Sequence, residues 1–159
     1  MKKIYVDMDG VLADFDNRWF EVFGSKTHES FNKSYWEHFV KSKQFASLDA
    51  MPGMETLVRY LKEIEAYPGV SVMILGSTGG YDFHGTVQEQ KLKWLKDREI
   101  PFSAIFVPGK RFKRHHATSQ SMLLDDHPQN IQQFIESGGA GHLYTGANEA
   151  IAAVKPFLV

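Results

Sequence analysis

Asp7 and Asp9 stand one residue apart behind the apolar run Ile4-Tyr5-Val6 and are followed at once by Gly10. Alternate side chains of a strand share a face, so the pair is expected to project together past the strand's end. Two carboxylates held close repel unless a cation or a shared proton intervenes, and a bound divalent metal is the simplest relief. An Asp-x-Asp-Gly run is also ordinary turn chemistry, so a functional reading depends on partners elsewhere in the chain. Three other places supply them. Ser77 and Thr78 follow the run Val70 to Leu75, Lys110 and Lys113 lie in a basic tract after Ala104 to Val107, and Asp125-Asp126 close Met122-Leu123-Leu124. Phosphoryl transfer through a covalent intermediate needs one carboxylate to attack and a second to give and take a proton. It also needs a hydroxyl and an ammonium for the phosphate oxygens, and oxygen ligands for a hard cation such as magnesium. Each part has a candidate here.

The pattern of elements decides whether these groups can meet. From residue 54 onward, helical spacing (Met54, Leu57, Val58, Leu61, Ile64) and short β-favouring runs alternate to the end of the chain, the mark of a mostly parallel sheet with helices on both faces. Strands are expected around 70–75, 104–107, 122–124 and 142–144. Helices are expected over 54–65, over 86–98 carrying Val87, Leu92, Trp94 and Leu95, from Pro128, and from Ala147. In a parallel sheet the strand ends lie along one edge, where ligands of open α/β folds bind, so residues more than a hundred positions apart would converge.

Residues 15–52 break the alternation with a dense aromatic set that includes Phe15, Trp19, Phe23, Tyr35, Trp36, Phe39 and Phe45. A stretch this long without structure of its own is uncommon, and the spacings Phe15/Trp19/Phe23 and Tyr35/Phe39 are helical. The expected organisation is a Rossmann-like α/β core of residues 1–14 and 53–159 with a small helical cap, residues 15–52, over the sheet edge. Most of the aromatics read as the cap's own core. Phe15 and Trp19, nearest the paired carboxylates, are the candidates to face a substrate.

The 159 residues carry a net charge of −1, so no electrostatic footprint points to a nucleic-acid polymer or a membrane surface. With no cysteine, disulfides, thiolate metal sites and cysteine nucleophiles are excluded. Asp7 and Asp9 interrupt the apolar start before a signal-peptide core could form, and no run is long enough to span a bilayer. The chain reads as cytoplasmic, with a small phosphorylated partner.

Taken in order, Asp7-Met8-Asp9-Gly10-Val11, a strand ending in Ser77, a downstream lysine and Leu124-Asp125-Asp126 resemble the four motifs of the haloacid dehalogenase (HAD) superfamily of phosphohydrolases. The helical stretch between the first two motifs is similar to the superfamily's cap. Asp125-Asp126-His127-Pro128-Gln129-Asn130-Ile131 and Pro52-Gly53 most resemble the 5′(3′)-deoxyribonucleotidase-like branch. The resemblance implies Asp7 as a nucleophile forming an aspartyl-phosphate and Asp9 as general acid and base. It further implies magnesium held by Asp7, the Asp9 backbone carbonyl and Asp125, with Asp126 a ligand or an acceptor that orients one. Ser77 with Thr78 alongside would bind phosphate, although Gly76 leaves their register open by one residue. Lys113 matches the lysine motif better than Lys110. His115, His116 and His127 are not expected to ligate metal.

The expected activity is a magnesium-dependent phosphomonoesterase, a 5′-nucleotidase acting on (deoxy)nucleoside monophosphates. A phosphatase for another small ester such as a sugar phosphate is the alternative within enzymes. A receiver-like phosphoacceptor domain is the alternative outside them. Such a module also gathers acids, a hydroxyl and a lysine at strand ends, but it needs no aromatic insertion and no acid at Asp9.

Overall fold

The computed structural model describes residues 1–159. Five strands, β1 (Lys2–Val6), β2 (Val70–Ser77), β3 (Ser103–Val107), β4 (Ser121–Asp125) and β5 (Ala140–Leu143), form one parallel sheet in the order β3-β2-β1-β4-β5. The order reverses between β1 and β4, and the crevice at such a reversal is the favoured ligand position of an open parallel sheet. Asp7 follows β1 and Asp125 ends β4, so both flank this crevice.

Even-numbered residues of the central strands, Ile4, Val6, Val72, Ile74, Met122 and Leu124, face the larger core. There they meet α4 (Met54–Glu65), α5 (His84–Asp97) and α7 (Ala147–Leu158). The odd-numbered Tyr5, Leu75 and Leu123 face a smaller cluster with Ile131 and Phe134 of α6 (Pro128–Glu136). The sheet is thus covered on both faces, as the alternation of elements predicts. Pro128 opens α6 at its first turn, where its missing N–H costs nothing.

Between β1 and α4 the chain forms α1 (Phe15–Phe23), α2 (Thr27–Ser30) and α3 (Lys33–Lys41), then a 3-10 turn at Gln44–Ser47. Asp14 caps α1 by accepting from the Asn17 N–H at 3.2 Å, and Asn32 caps α3 by accepting from the Tyr35 N–H at 2.8 Å. The aromatic rings pack on one another: Phe15 stacks on Phe45 and meets Trp19, Trp36 and Phe39 at steeper angles. Their core is continuous with that of the sheet. It is bolted to α5 by Gln90 Nε2 on the Val40 carbonyl (2.8 Å) and Trp94 Nε1 on the Leu48 carbonyl (2.7 Å).

Two sequence expectations shift. Helix α5 begins at His84 and buries Gln90 and Lys91 in place of Leu92, which is 45% exposed. The last strand starts two residues earlier than expected, at Ala140. The basic tract is a 3-10 helix, Lys110–His116, that turns Lys113 inward while Arg111 and Arg114 stay in solvent.

Candidate active site

β1 stops at Val6, so strand alternation does not place Asp7 and Asp9. Asp7 is tied to β4 through its N–H on the Leu124 carbonyl (2.9 Å), and the Met8 carbonyl then accepts from the N–H groups of Val11, Leu12 and Ala13. This tight turn carries Gly10 at φ +83°, where a side chain would collide with the carboxylate of Asp126. Asp7 and Asp9 therefore leave the sheet in different surroundings, each with its own ammonium.

Asp7 Oδ1 accepts from Lys113 Nζ at 2.8 Å and from the Met8 N–H at 2.8 Å. Lys113, 2% exposed, also donates to Asp125 Oδ2 at 2.9 Å. Asp125 is fully buried; its oxygens accept further from the His127 N–H (2.8 Å) and from Asn130 Nδ2 (3.1 Å). Burial works against the Lys113 charge, but Asp7 and Asp125 outweigh it and keep the ammonium protonated. Burial pushes Asp7 well above the usual carboxylate range, Lys113 opposes this, and Asp125 and Asp126 add to it. Asp126 is open to solvent on one side, yet burial on the other and the charge of Asp125 raise it to about 6.

One oxygen each of Asp7, Asp125 and Asp126 lies within 4.8 Å of the others. Three carboxylates against one ammonium leave two negative charges, and an all-oxygen donor set suits a hard dication. The residues present therefore fit magnesium, with Asp7 Oδ2 receiving no protein N–H and the Asp9 carbonyl accepting no backbone hydrogen bond. The Asp9 side chain stands outside this carboxylate cluster. Its Oδ2 accepts from Lys91 Nζ at 2.9 Å, and its buried Oδ1 has no partner.

These groups line a cavity of about 510 Å³. Asp7, Asp9, Gly10, Ser77, Lys110, Lys113 and Asp126 form its floor, and the cap contributes Phe15, Asp16, Thr27, His28, Phe31 and Trp36. Gly79, at φ +81°, lets the loop after β2 pass under Trp36; a Cβ there would lie 2.5 Å from Trp36 Cζ2. His127 is half-buried in the same wall, and burial together with Lys110 and Lys113 lowers it, so the ring is neutral at neutral pH.

Two candidates fall elsewhere. Thr78 does not line the cavity: its hydroxyl is buried against His84 Nδ1 (2.5 Å) and the Val107 carbonyl (3.3 Å). Ser77 is the last residue of β2 and lines the cavity wall. Trp19 is fully buried within the cap, donating from Nε1 to Ser30 Oγ at 2.9 Å, because the inward stripe of α1 continues from Phe15 through it. Phe31 and Trp36 take the cavity position expected of it. Lys110 lines the cavity rim and is exposed, whereas Lys113 is the lysine at the carboxylates.

Sequence reasoning passed over Lys91, Asn130, Phe31 and Trp36. Lys91 carried a signal: with Val87, Trp94 and Leu95 it occupies the buried face of α5, and a lysine on such a stripe needs a buried acceptor.

The family model described as 5′ nucleotidase, deoxy (pyrimidine), cytosolic type C protein (NT5C) matches residues 1–145. Among curated proteins none matches in sequence. A hydrolase from Streptococcus pneumoniae superposes with a TM-score of 0.59 at 14% identity, covering 97% of this chain and 99% of that one. D,D-heptose 1,7-bisphosphate phosphatase from Burkholderia thailandensis gives 0.54 at 14% identity, with 97% and 85% covered. A HAD family enzyme from Bacteroides thetaiotaomicron, solved as a mutant with magnesium and inorganic phosphate, gives 0.53 at 14% identity, with 92% and 95% covered. At that identity the structural likenesses concern the fold.

Proposed function

We propose, for a chain that belongs to the NT5C family of HAD-type phosphohydrolases, that its phosphatase activity is magnesium-dependent and directed at (deoxy)nucleoside monophosphates. The observation that carries this reading is the joint lining of one cavity by Asp7, Asp9, Ser77 and Lys113 below and by Phe15, Phe31 and Trp36 above. A phosphate fits the charged floor, and flat aromatic walls suit a base. The family is described as cytosolic, in keeping with the cytoplasmic reading, and no helix is long and apolar enough to cross a membrane.

Asp7 Oδ2 attacks phosphorus, forming an O–P bond while the bond to the ester oxygen breaks with its electron pair. The Asp9 carboxyl gives its proton to that departing oxygen. Ser77 Oγ donates to a phosphate oxygen, and Lys113 offsets the charge gathered around Asp7 and Asp125. Water then attacks the aspartyl-phosphate, with Asp9 taking its proton, and phosphate is released. Magnesium, held by Asp7, Asp125, Asp126 and the Asp9 carbonyl, would supply charge neutralisation at the phosphoryl oxygens.

The test is a screen of phosphate monoesters with and without magnesium, including deoxynucleoside 5′- and 3′-monophosphates and sugar phosphates. Preferred turnover of nucleotides with magnesium is the expected result. Equal or better turnover of sugar phosphates would reassign the substrate, and stoichiometric phosphate retention without release would replace the enzyme by a phosphoacceptor.

A further inference from the structure

We propose that Lys91 is a positioning residue for Asp9, gripping one carboxylate oxygen together with the end of β2 so that the Asp9 carboxyl is held at the cavity wall for proton exchange with the leaving group. The inference rests on the phosphomonoesterase reading given above. It starts from an anomaly: a lysine 1% exposed, on the buried helix face of Val87, Gln90, Trp94 and Leu95. Burying an ammonium costs several kcal/mol unless partners replace its water, so the partners identify what the charge is for.

Lys91 Nζ has two acceptors, Asp9 Oδ2 at 2.9 Å and the Ser77 carbonyl at 2.8 Å, and lies 5.0 Å from the centre of the Phe45 ring. One side chain thus ties together the turn after β1, the end of β2 and the base of the cap. The two tethered residues are those assigned proton transfer and phosphate binding. Their relative placement is fixed by a group that itself touches neither cavity nor substrate.

Asp9 is left asymmetric. Oδ2 is occupied by the ammonium, while Oδ1 is buried without a protein partner, although Asp9 lines the cavity. Buried polar atoms rarely stay unpaired without a use. The carboxyl as a whole lies at the wall of the substrate space, where the ammonium holds it. The step assigned to it balances: the Asp9 O–H bond breaks, its proton passes to the ester oxygen, and that oxygen keeps the electron pair of the P–O bond it loses. Misplacing the Asp9 carboxyl by an ångström would impair this transfer while leaving Asp7 free to attack.

The experiment compares kcat/KM on two esters, each with magnesium, because this ratio reports phosphoryl transfer up to its first irreversible step. With 4-nitrophenyl phosphate the leaving group departs without a proton; with a deoxynucleoside 5′-monophosphate it needs one. Lys91→Met is expected to lower kcat/KM for the nucleotide by about 10²-fold, in the range of lost general-acid catalysis, and that for the aryl ester by less than about 5-fold. Lys91→Arg restores part of the nucleotide rate, and adding Lys91→Met to Asp9→Asn brings no further loss, since the two residues act as one unit. Denaturant unfolding of wild type, Lys91→Met, Asp9→Asn and the double variant gives a readout independent of turnover, in which Lys91 and Asp9 are coupled. Equal losses on both esters, or full additivity with Asp9→Asn, would overturn the positioning role and leave Lys91 a structural residue. Wild-type protein inactive on both esters would instead remove the phosphatase reading on which the inference stands.

Discussion

Gly10 faces the carboxylate of Asp126 with no space for a side chain between them. Its φ of +83° is also one that only glycine adopts without strain. The same residue thus permits the turn that carries Asp9 and the approach of the turn that carries Asp126. We expect Gly10→Ala to displace Asp126, weaken magnesium binding by at least about tenfold and cost about 1–3 kcal/mol of stability from backbone strain alone. Calorimetric magnesium titration and thermal melting check this. Unchanged affinity would show that Asp126 does not contribute to the ion's site.

Lys113 and Lys110 should separate cleanly. Lys113 is the sole ammonium among Asp7, Asp125 and Asp126, and removing one partner from a buried ion pair typically costs about 3–5 kcal/mol. Lys113→Met is therefore expected to destabilise the metal-free protein by that order and to reduce turnover, with added magnesium recovering part of the stability. Lys110→Ala, at an exposed rim, should leave melting unchanged and raise KM by less than about tenfold, as befits a solvated charge. Similar melting of the two variants would remove the distinction.

For the two leading carboxylates the variants should differ in kind. Asp7→Asn removes the attacking oxygen, and turnover should fall by about 10³-fold or more while the fold persists. Losing a strongly desolvated carboxylate relieves burial as well as breaking a contact to Lys113, which retains Asp125. Asp9→Asn should lose about 10²–10⁴-fold in turnover of alkyl esters and still bind phosphate. Steady-state kinetics with circular dichroism and phosphate titration check both, and wild-type rates in either variant would withdraw that assignment.

Much of this was readable before the coordinates. The alternation of elements gave a parallel sheet because buried strands and amphipathic helices have different periods, and α4 and α6 fall where those periods place them. Asp7, Ser77 and Asp125 were legible because each sits at or just past a strand end, where topology alone brings them to one edge. Side chains inside helices were not. Lys91 was hidden because Leu92, with Val87, Trp94 and Leu95, was expected on the inward face of α5, where Gln90 and Lys91 sit instead. Trp19 misled because nearness in sequence to Asp7 says nothing about which side of α1 faces the cavity; a helix turns its aromatic stripe toward its own core. Thr78 misled for the related reason that neighbouring residues at a strand end point opposite ways.

The acidic cluster should make magnesium binding depend on protons. In the metal-free fold Asp126 holds its proton up to about pH 6, because burial and Asp125 disfavour its charge. An ion coordinated there must displace that proton, so apparent magnesium affinity should fall by up to tenfold per unit as pH drops below about 6. The stability of the metal-free protein carries the opposite sign. Between the ordinary value of 3.8 and about 6 the folded state binds more protons at Asp126 than the unfolded chain, so this group's contribution declines as pH rises through that window. His116 and His127 are lowered from 6.5, mainly by burial, and act in reverse, adding stability as pH rises toward 6.5. The difference between wild type and Asp126→Asn isolates the carboxylate from these histidines. Titrations at pH 5, 6, 7 and 8 in two buffers of unlike ionisation enthalpy should show proton release that vanishes in Asp126→Asn. Release that persists undiminished in that variant would assign the displaced proton to Asp7, whose carboxyl is raised by its deeper burial.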